Sequence, residues 1–396
     1  MKRSEKILNF DYAALQAIYW ILSGIIFCFT TVYLQFKGCS NYDIGIIFAF
    51  GNIVSFVLQP LVAGYIDRRG QRAISGCLRI TALLSLLLML AVLMMPKASL
   101  PLAAAYVIII AGTMLMQPLC ISLSFYLESW GCRINFSIAR AIGSLFYALG
   151  TAALGLFVQS MSENAIPVSY IIFSLVLGLI TLLFSTKDKH RPDTVKAPAA
   201  EAAEKPSGIV EFVLENKRFA IFLVGCSLLY FTHSLLSNFM IEFIRNIGGD
   251  SSDLGGVTAI MALTEVPVML LFTRLTRRFS VSGLLRFSVA MFTAKALLIY
   301  LSPCVELLYV AVLLQAGSFA IFVPASVHYV DAVIAKRNAA KGQASVTAVI
   351  AFGSTFSGYV GGLLLDTTSP SFTLLVGVIA SAVGTLIALL GIQKTR

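Results

Sequence analysis

Residues 43–72 read DIGIIFAFGNIVSFVLQPLVAGYIDRRGQR. No charged side chain lies between Asp43 and Asp67, and then Asp67, Arg68, Arg69 and Arg72 follow within one turn of chain. A helix needs roughly 20 mainly apolar residues to cross the hydrocarbon core of a bilayer. The stretch 43–65 therefore reads as one membrane-spanning helix, stopped at its end by a basic segment.

The same reading extends outward in both directions. Apolar runs of similar length occupy 12–36, 74–95, 101–127, 136–160, 165–185, 218–243, 253–273, 281–302, 305–330, 344–366 and 370–391. With 43–65 they make twelve spans and predict an all-α membrane protein. Composition agrees, with 58% hydrophobic and only 12% charged residues over 396. An ordinary soluble domain is about 45–50% apolar and about 25% charged. The excess excludes a disordered chain, a disulfide scaffold and a nucleic-acid binder.

Lys and Arg set the orientation, because they accumulate on the cytoplasmic side. With the N-terminus inside, most fall in inner segments such as 68–72, 187–218, 274–278 and 336–341. The outer loops hold only Lys37, Lys97 and Arg245. Both termini are expected in the cytoplasm, and the net charge of +10 is then topological rather than a sign of an acidic partner. MKRSEKILNF at the start resembles a signal-peptide n-region, but the apolar run after it is too long and lacks a cleavage pattern. That run reads as the first span. Among the seven cysteines there is no CxxC pair. Cys39 and Cys304 fall near the outer surface, as a bridge or as two small apolar residues.

The polar stretch TKDKHRPDTVKAPAAEAAEKP at 186–206 straddles the midpoint. It suits a linker without a core of its own, followed by a short amphipathic helix in GIVEFVLENKR that Ser207 would cap. The expected organisation is a six-helix bundle over 1–185, a cytoplasmic linker over 186–217 and a second six-helix bundle over 218–396. The halves echo one another. Pro60 and Asp67 match Pro267 and Arg274 at an offset of 207, and Gly143-Ser144 match Gly353-Ser354 at 210. Such a parallel repeat of six plus six places a substrate site near the membrane midplane between the halves.

Polar groups inside spans mark candidate sites, since an ionisable side chain at mid-bilayer costs a few kcal/mol unless partnered or wetted. Glu265 lies about 18 Å from the outer end of span eight at 1.5 Å per residue, close to the centre. It reads as a proton carrier or as a structural carboxylate held by a hydroxyl. Lys295 in span nine is its counter-charge or a snorkelling residue. His233 in span seven, with Asn238 five positions on, is a modulator of that carboxylate or a hydrogen-bonded core group. Gln315 and Ser318 share a face of span ten, where interhelical bonding is the simpler role. Glu128 and Arg140 flank the loop between spans four and five, as an edge ion pair or as a gate and clamp. Tyr147, Trp20 and Tyr33 read first as packing or interface aromatics. Enzyme signatures are missing: HExxH, GxxxxGK[ST] and GxSxG do not occur. No cofactor or metal is expected.

The segment Gly64-Tyr65-Ile66-Asp67-Arg68-Arg69-Gly70-Gln71-Arg72 resembles the loop after span two in the major facilitator superfamily. There Gly64, Asp67, Arg68, Gly70 and Arg72 would form a gating loop. A finer resemblance is to the lactose permease branch of oligosaccharide–proton symporters. It runs through Asp43–Asp67, YLES at 126–129 and RAIGSLFYALG at 140–150. The resemblance implies that Glu128 and Arg140 clamp a sugar, that Tyr147 stacks on it, and that Glu265 links sugar to proton. Lys295 stands where that branch has an arginine, while Gln315 and Ser318 replace its span-ten histidine and glutamate. Tyr230 and His233 replace its span-seven aspartates. Phenylpropionate-type and nucleoside-type permeases resemble this pattern too.

The expectation is a secondary transporter of the inner or plasma membrane, a monomer that moves a small solute with protons by alternating access. Asn238 and Gln315 would join Glu128, Arg140 and Tyr147 in lining the cavity. A sugar or oligosaccharide is favoured. An aromatic acid or nucleoside, an efflux antiporter, a facilitator and a non-transporting sensor are the alternatives.

Overall fold

The structure, a computed structural model, describes residues 3–70, 72–95, 97–128, 133–188 and 209–395. Fourteen α-helices follow in order: α1 (Arg3–Phe36), α2 (Asn41–Arg69), α3 (Ala73–Met94), α4 (Leu100–Glu128), α5 (Phe136–Ser160), α6 (Ala165–Asp188), α7 (Ile209–Glu215), α8 (Lys217–Asn246), α9 (Ser251–Leu275), α10 (Val281–Leu301), α11 (Val305–Val312), α12 (Phe319–Val333), α13 (Ala339–Thr367) and α14 (Pro370–Gly391). They supply twelve spans long and apolar enough to cross a membrane. The tenth is α11 and α12 together. Most of the linker expected at 186–217 lies outside the described residues, as do Ser207 and Cys132. The short helix predicted after it is α7, whose Phe212 packs edge-on to Phe219 and whose Glu215 pairs with Arg337 at 3.0 Å.

By their contacts the helices separate into two compact units. One contains α1–α6 with residues 250–259 at the start of α9; the other contains α7, α8, the rest of α9 and α10–α14. In the first, α1 packs on α5, α6 and α4, and α3 packs on α4 and α6. In the second, α8 packs on α13 and α14, and α10 packs on α12 and α14. Numbered by span within each unit, the pairings 1–5, 1–6, 3–4 and 3–6 occur in both.

Local structure repeats as well. After α1, Gly38 at φ 88° closes the helix with Gly38 N–H on Gln35 O (2.9 Å) and Cys39 N–H on Leu34 O (2.9 Å). After α8, Gly248 at φ 86° does the same, with its N–H on Arg245 O (3.1 Å) and Gly249 N–H on Ile244 O (2.9 Å). Only glycine takes this φ without strain. Capping boxes then start the next helices. Ser40 and Asp43 each accept the other's backbone N–H at 3.1 Å, and Asp250 and Asp253 repeat the exchange at 3.2 and 3.0 Å. Every pair of counterparts is 210 residues apart. The glycines of the Gly-Ser echo fall at matching contacts. A methyl on Gly143 would run into the Trp20 ring on α1, and one on Gly353 would run into the Ser227 carbonyl on α8.

Three expectations need correction. Helix α1 begins at Arg3 rather than near residue 12. Its polar first turns carry no hydropathy signal, yet they hold the chain before α5. Asn9 Nδ2 donates to Arg133 O (2.7 Å), Asn9 Oδ1 accepts from Asn135 N–H (2.7 Å), and Glu5 accepts from Arg133 N–H (3.2 Å). Span ten is not one helix over 305–330: α11 ends at Val312, a 3-10 turn covers Leu313–Gln315, and α12 starts at Phe319. In span seven, Phe239 leaves helical geometry at φ −120°, ψ 20°. The described cysteines are all free thiols, Cys39 and Cys304 included.

Candidate functional site

In the first unit the stripe Tyr12, Gln16, Trp20 recurs every fourth residue and so lies on one face of α1. Trp20 Nε1–H donates to Gln16 Oε1 (3.1 Å), Gln16 Nε2 donates to the Tyr12 hydroxyl (2.8 Å), and that hydroxyl donates to Cys120 O (3.0 Å). The ladder fixes the indole. On α5, the Arg140 guanidinium lies over the Trp20 ring, 3.8 Å from its centroid, and Nη1 donates to Ser144 Oγ at 2.5 Å. A pocket of about 30 Å³, room for about one water, opens here between Gln16, Tyr19, Trp20, Gln117, Ile121, Phe136 and Arg140.

Of the expected solute contacts, Arg140 lines this pocket. Glu128 is exposed at the last residue of α4 and does not line the pocket. Tyr147 meets the Trp20 ring edge-on at 6.1 Å, and its hydroxyl contacts Cys28 Sγ at 3.1 Å. The rings in the pocket are Tyr19, Phe136 and Trp20, the last of which the sequence reading treats as packing. Gln16 and Gln117 go unremarked there. The signal for Gln16 was its place in a polar stripe at helical spacing within an apolar span.

The gating-loop residues divide. Asp67 and Arg68 belong to the last turn of α2, where Arg68 Nε donates to Gly64 O (3.1 Å). Cations suit that end of a helix, because its unpaired carbonyls carry the negative pole. Gly70 terminates α2 at φ 85° with its N–H on Ile66 O (2.8 Å), and Arg72 precedes α3. A methyl on Gly64 would meet nothing within 4 Å.

In the second unit four spans converge on one hydrogen-bonded chain. Lys295 of α10 is 1% exposed, and its Nζ donates to Gln315 Oε1 at 2.7 Å. Gln315 Nε2 donates to Glu265 Oε1 of α9 at 2.8 Å. Lys295 Nζ also lies 3.4 Å from His233 Nδ1 of α8. The His233 ring stacks on Phe319 (4.9 Å, 20°) and meets Phe292 and Tyr230 edge-on. A buried ammonium without a partner is costly, so amide and imidazole solvate Lys295 in place of water. Lys295 is thus buried rather than snorkelling. The Gln315 amide stands between it and the Glu265 carboxylate expected as its counter-charge.

The break in span ten delivers Gln315 to this position. Gly317 brings the chain close enough to α10 that a methyl there would press on Met291. The Ser318 hydroxyl donates back to Leu314 O (2.9 Å), which also accepts the backbone N–H groups of Gly317 and Ser318 (3.1 and 3.0 Å). Asn238 is buried beside the irregular Phe239. His328, exposed near the end of α12, stacks on Phe272 at 5.7 Å.

The profile of the MFS_1-like family matches residues 12–376. This chain belongs to that family. It is a major facilitator superfamily transporter and not an enzyme. The maltose permease of Geobacillus stearothermophilus is 26% identical over 386 residues, covering 94% of this chain and 92% of that protein. Among solved structures, the nucleoside transporter NupG superimposes with a TM-score of 0.77 at 17% identity, covering 96% of this chain and 97% of that one. An inward-facing bacterial homologue of the iron transporter ferroportin superimposes with a TM-score of 0.74 at 10% identity, over 98% of each chain. The fold shared by these structures is that of the family.

Proposed function

We propose that this transporter is a proton symporter for a small polyhydroxylated solute, a sugar or oligosaccharide. The observation that carries the coupling is the Lys295–Gln315–Glu265 chain. It holds a half-buried carboxylate in mid-span, linked through an amide to a fully buried ammonium. A carboxylate in that setting is the group that takes up and releases a proton as access alternates. Symport requires that the closed forms be favoured only when solute and proton are both bound or both absent, which a single titrating group can enforce.

The sugar assignment is supported by the maltose permease relative and by the donor and aromatic groups gathered around Arg140. Gln16, Gln117 and Arg140 offer donors to hydroxyls, and the Trp20 face suits the apolar side of a pyranose. Glu128, Tyr147 and Asn238 remain in the proposal as further solute contacts, and Gly64, Asp67, Arg68, Gly70 and Arg72 as a gating element. The repeated turns and caps at an offset of 210 support two six-helix bundles, 1–185 and 218–396, joined by 186–217. Both termini are placed on the cytoplasmic side of the inner or plasma membrane, and the working unit is one chain.

Proteoliposomes test the reading. A panel of sugars, nucleosides and aromatic acids is added to wild type and Glu265→Gln, with external pH recorded. A sugar should raise external pH with wild type and not with the variant, while solute exchange continues in both. Proton uptake triggered instead by a nucleoside or aromatic acid reassigns the solute, and solute movement without any proton signal removes the coupling.

A further inference from the structure

We infer that Gln315 is a positioning residue that reports the charge of Glu265 to Lys295, and that His233 is the second acceptor to which the ammonium then turns. The inference rests on Glu265 being the proton site proposed above. An ammonium only donates hydrogen bonds, and a carboxylate only accepts them. Between the two, the amide has a single compatible orientation: oxygen toward Lys295 Nζ, 2.7 Å, and NH₂ toward Glu265 Oε1, 2.8 Å. Each end of Gln315 is set by a charge.

Protonation removes one of those charges. Glu265 gains a proton from the water phase on Oε1, the oxygen that meets Gln315, and its new O–H is a donor. Against the present amide, that O–H would face an NH₂, whereas a proton on Oε2 would leave Oε1 an acceptor and the amide in place. The terminal torsion of a glutamine is broad and roughly two-fold, so the amide can turn over within its site. Turned, its oxygen accepts from the Glu265 O–H, but its NH₂ now faces Lys295, donor against donor. The ammonium must leave. One acceptor is in reach, His233 Nδ1 at 3.4 Å, when the imidazole proton sits on Nε2.

The surroundings favour this exchange over a general loosening. The imidazole is held by the stack on Phe319 and the edges of Phe292 and Tyr230, so it is a fixed acceptor. Lys295 moves on a flexible four-carbon stem. The backbone at Gln315 is anchored by the 3-10 turn and by Gly317 against Met291, so only the amide plane need rotate. An amide neither takes nor gives a proton near neutral pH, so the proton stops at Glu265. What passes along the chain is orientation. The other titratable group facing the cluster is Tyr230 of α8. The remaining charged side chains and histidine of the helices packed on α10 lie toward helix ends: Lys217, Arg218, Glu242 and Arg245 on α8, Glu306 on α11, and His328 and Asp331 on α12, with Arg286 near the start of α10 itself.

The chain has three histidines, so replacing His190 and His328 by Asn leaves one imidazole for ¹⁵N NMR of the full-length protein in lipid bilayers. Infrared spectra of the same samples follow the carboxyl band of protonated Glu265, assigned by its loss in Glu265→Gln. On lowering pH, the wild-type background should show the carboxyl band and a coincident shift of His233 Nδ1. In Gln315→Met, which keeps the shape and removes the amide, the carboxyl band should persist and the Nδ1 shift should be lost. Gln315→Asn, one methylene short, serves if Met misfolds, and should also lose the shift. A shift retained in either variant overturns the relay, and so does one that survives in Glu265→Gln, where His233 would be titrating by itself. If no carboxyl band ever develops in wild type, the proton site itself is wrong, and that failure is visible separately from the relay's.

Discussion

The Arg140 guanidinium carbon lies over Trp20, 3.8 Å from the ring centroid. A cation and an indole in this relation attract through the ring quadrupole, by about 0.5–2 kcal/mol depending on desolvation. The pair also presents a planar donor group and an aromatic surface to one small pocket. Arg140→Lys keeps the charge but loses both the fork of donors and the stacking plane. We expect the half-saturation concentration for solute to rise about tenfold or more, equivalent to about 1.4 kcal/mol, with the thermal midpoint little changed. Concentration-dependent uptake in proteoliposomes, beside a melting curve, checks both halves of that expectation.

Trp20 owes its place to a missing side chain. Because a methyl on Gly143 would overlap the indole, Gly143→Ala should displace the ring and put it out of register with the Gln16 ladder. Overpacking of this kind costs about 1–3 kcal/mol. Tryptophan fluorescence reads the displacement, since Trp130 is the only other indole in the sequence and can be replaced by Phe. An unchanged spectrum in Gly143→Ala would mean that the helices move apart instead.

Lys295 and Glu265 should be energetically coupled although Gln315 stands between them. Removing one member of a buried charge pair leaves the other uncompensated, at a cost of about 3–5 kcal/mol. Lys295→Met is therefore expected to destabilise the protein strongly. Lys295→Met with Glu265→Gln should recover part of that loss, so that the double variant is more stable than the sum of the singles predicts. Additive effects on unfolding would show that the amide insulates the two charges.

The repeated turn makes a symmetrical prediction. Gly38→Ala and Gly248→Ala both force an L-residue into positive φ, at a cost of about 1 kcal/mol or more each. Open space surrounds both positions, so backbone conformation alone decides the effect. The two variants should lower the thermal midpoint by similar amounts, and the double variant by roughly their sum.

Physical signals of different strength explain what the sequence disclosed. Twelve spans are legible because the bilayer demands some 20 apolar residues in a row, and 43–65 or 370–391 satisfy that without ambiguity. The first turns of α1 are not legible that way, since Glu5 and Asn9 are helical for the sake of hydrogen bonds to 133–135 rather than for burial. The break in span ten hides for a related reason: Leu313–Ser318 stays apolar enough to extend the run, and Gly317-Ser318 is its sole local mark. The internal repeat was in plain view. GCSNYD at 38–43 and GGDSSD at 248–253 share the turn glycine and the capping acid, a pattern stronger than the Pro60–Pro267 match. Of the unit-two cluster, Glu265, Lys295, His233 and Gln315 all stood out as polar groups in apolar spans. Their order along the hydrogen bonds, with the amide between the charges, depends on how four helices pack and has no trace in one-dimensional spacing.

Proton movement driven by solute, compared between wild type and Glu265→Gln in the same preparation of proteoliposomes, tests the central claim most directly. The account predicts that a sugar drives proton uptake through the wild-type protein, that the variant shows none, and that the variant still exchanges internal for external sugar. Equal solute-driven proton uptake in the two proteins would contradict it.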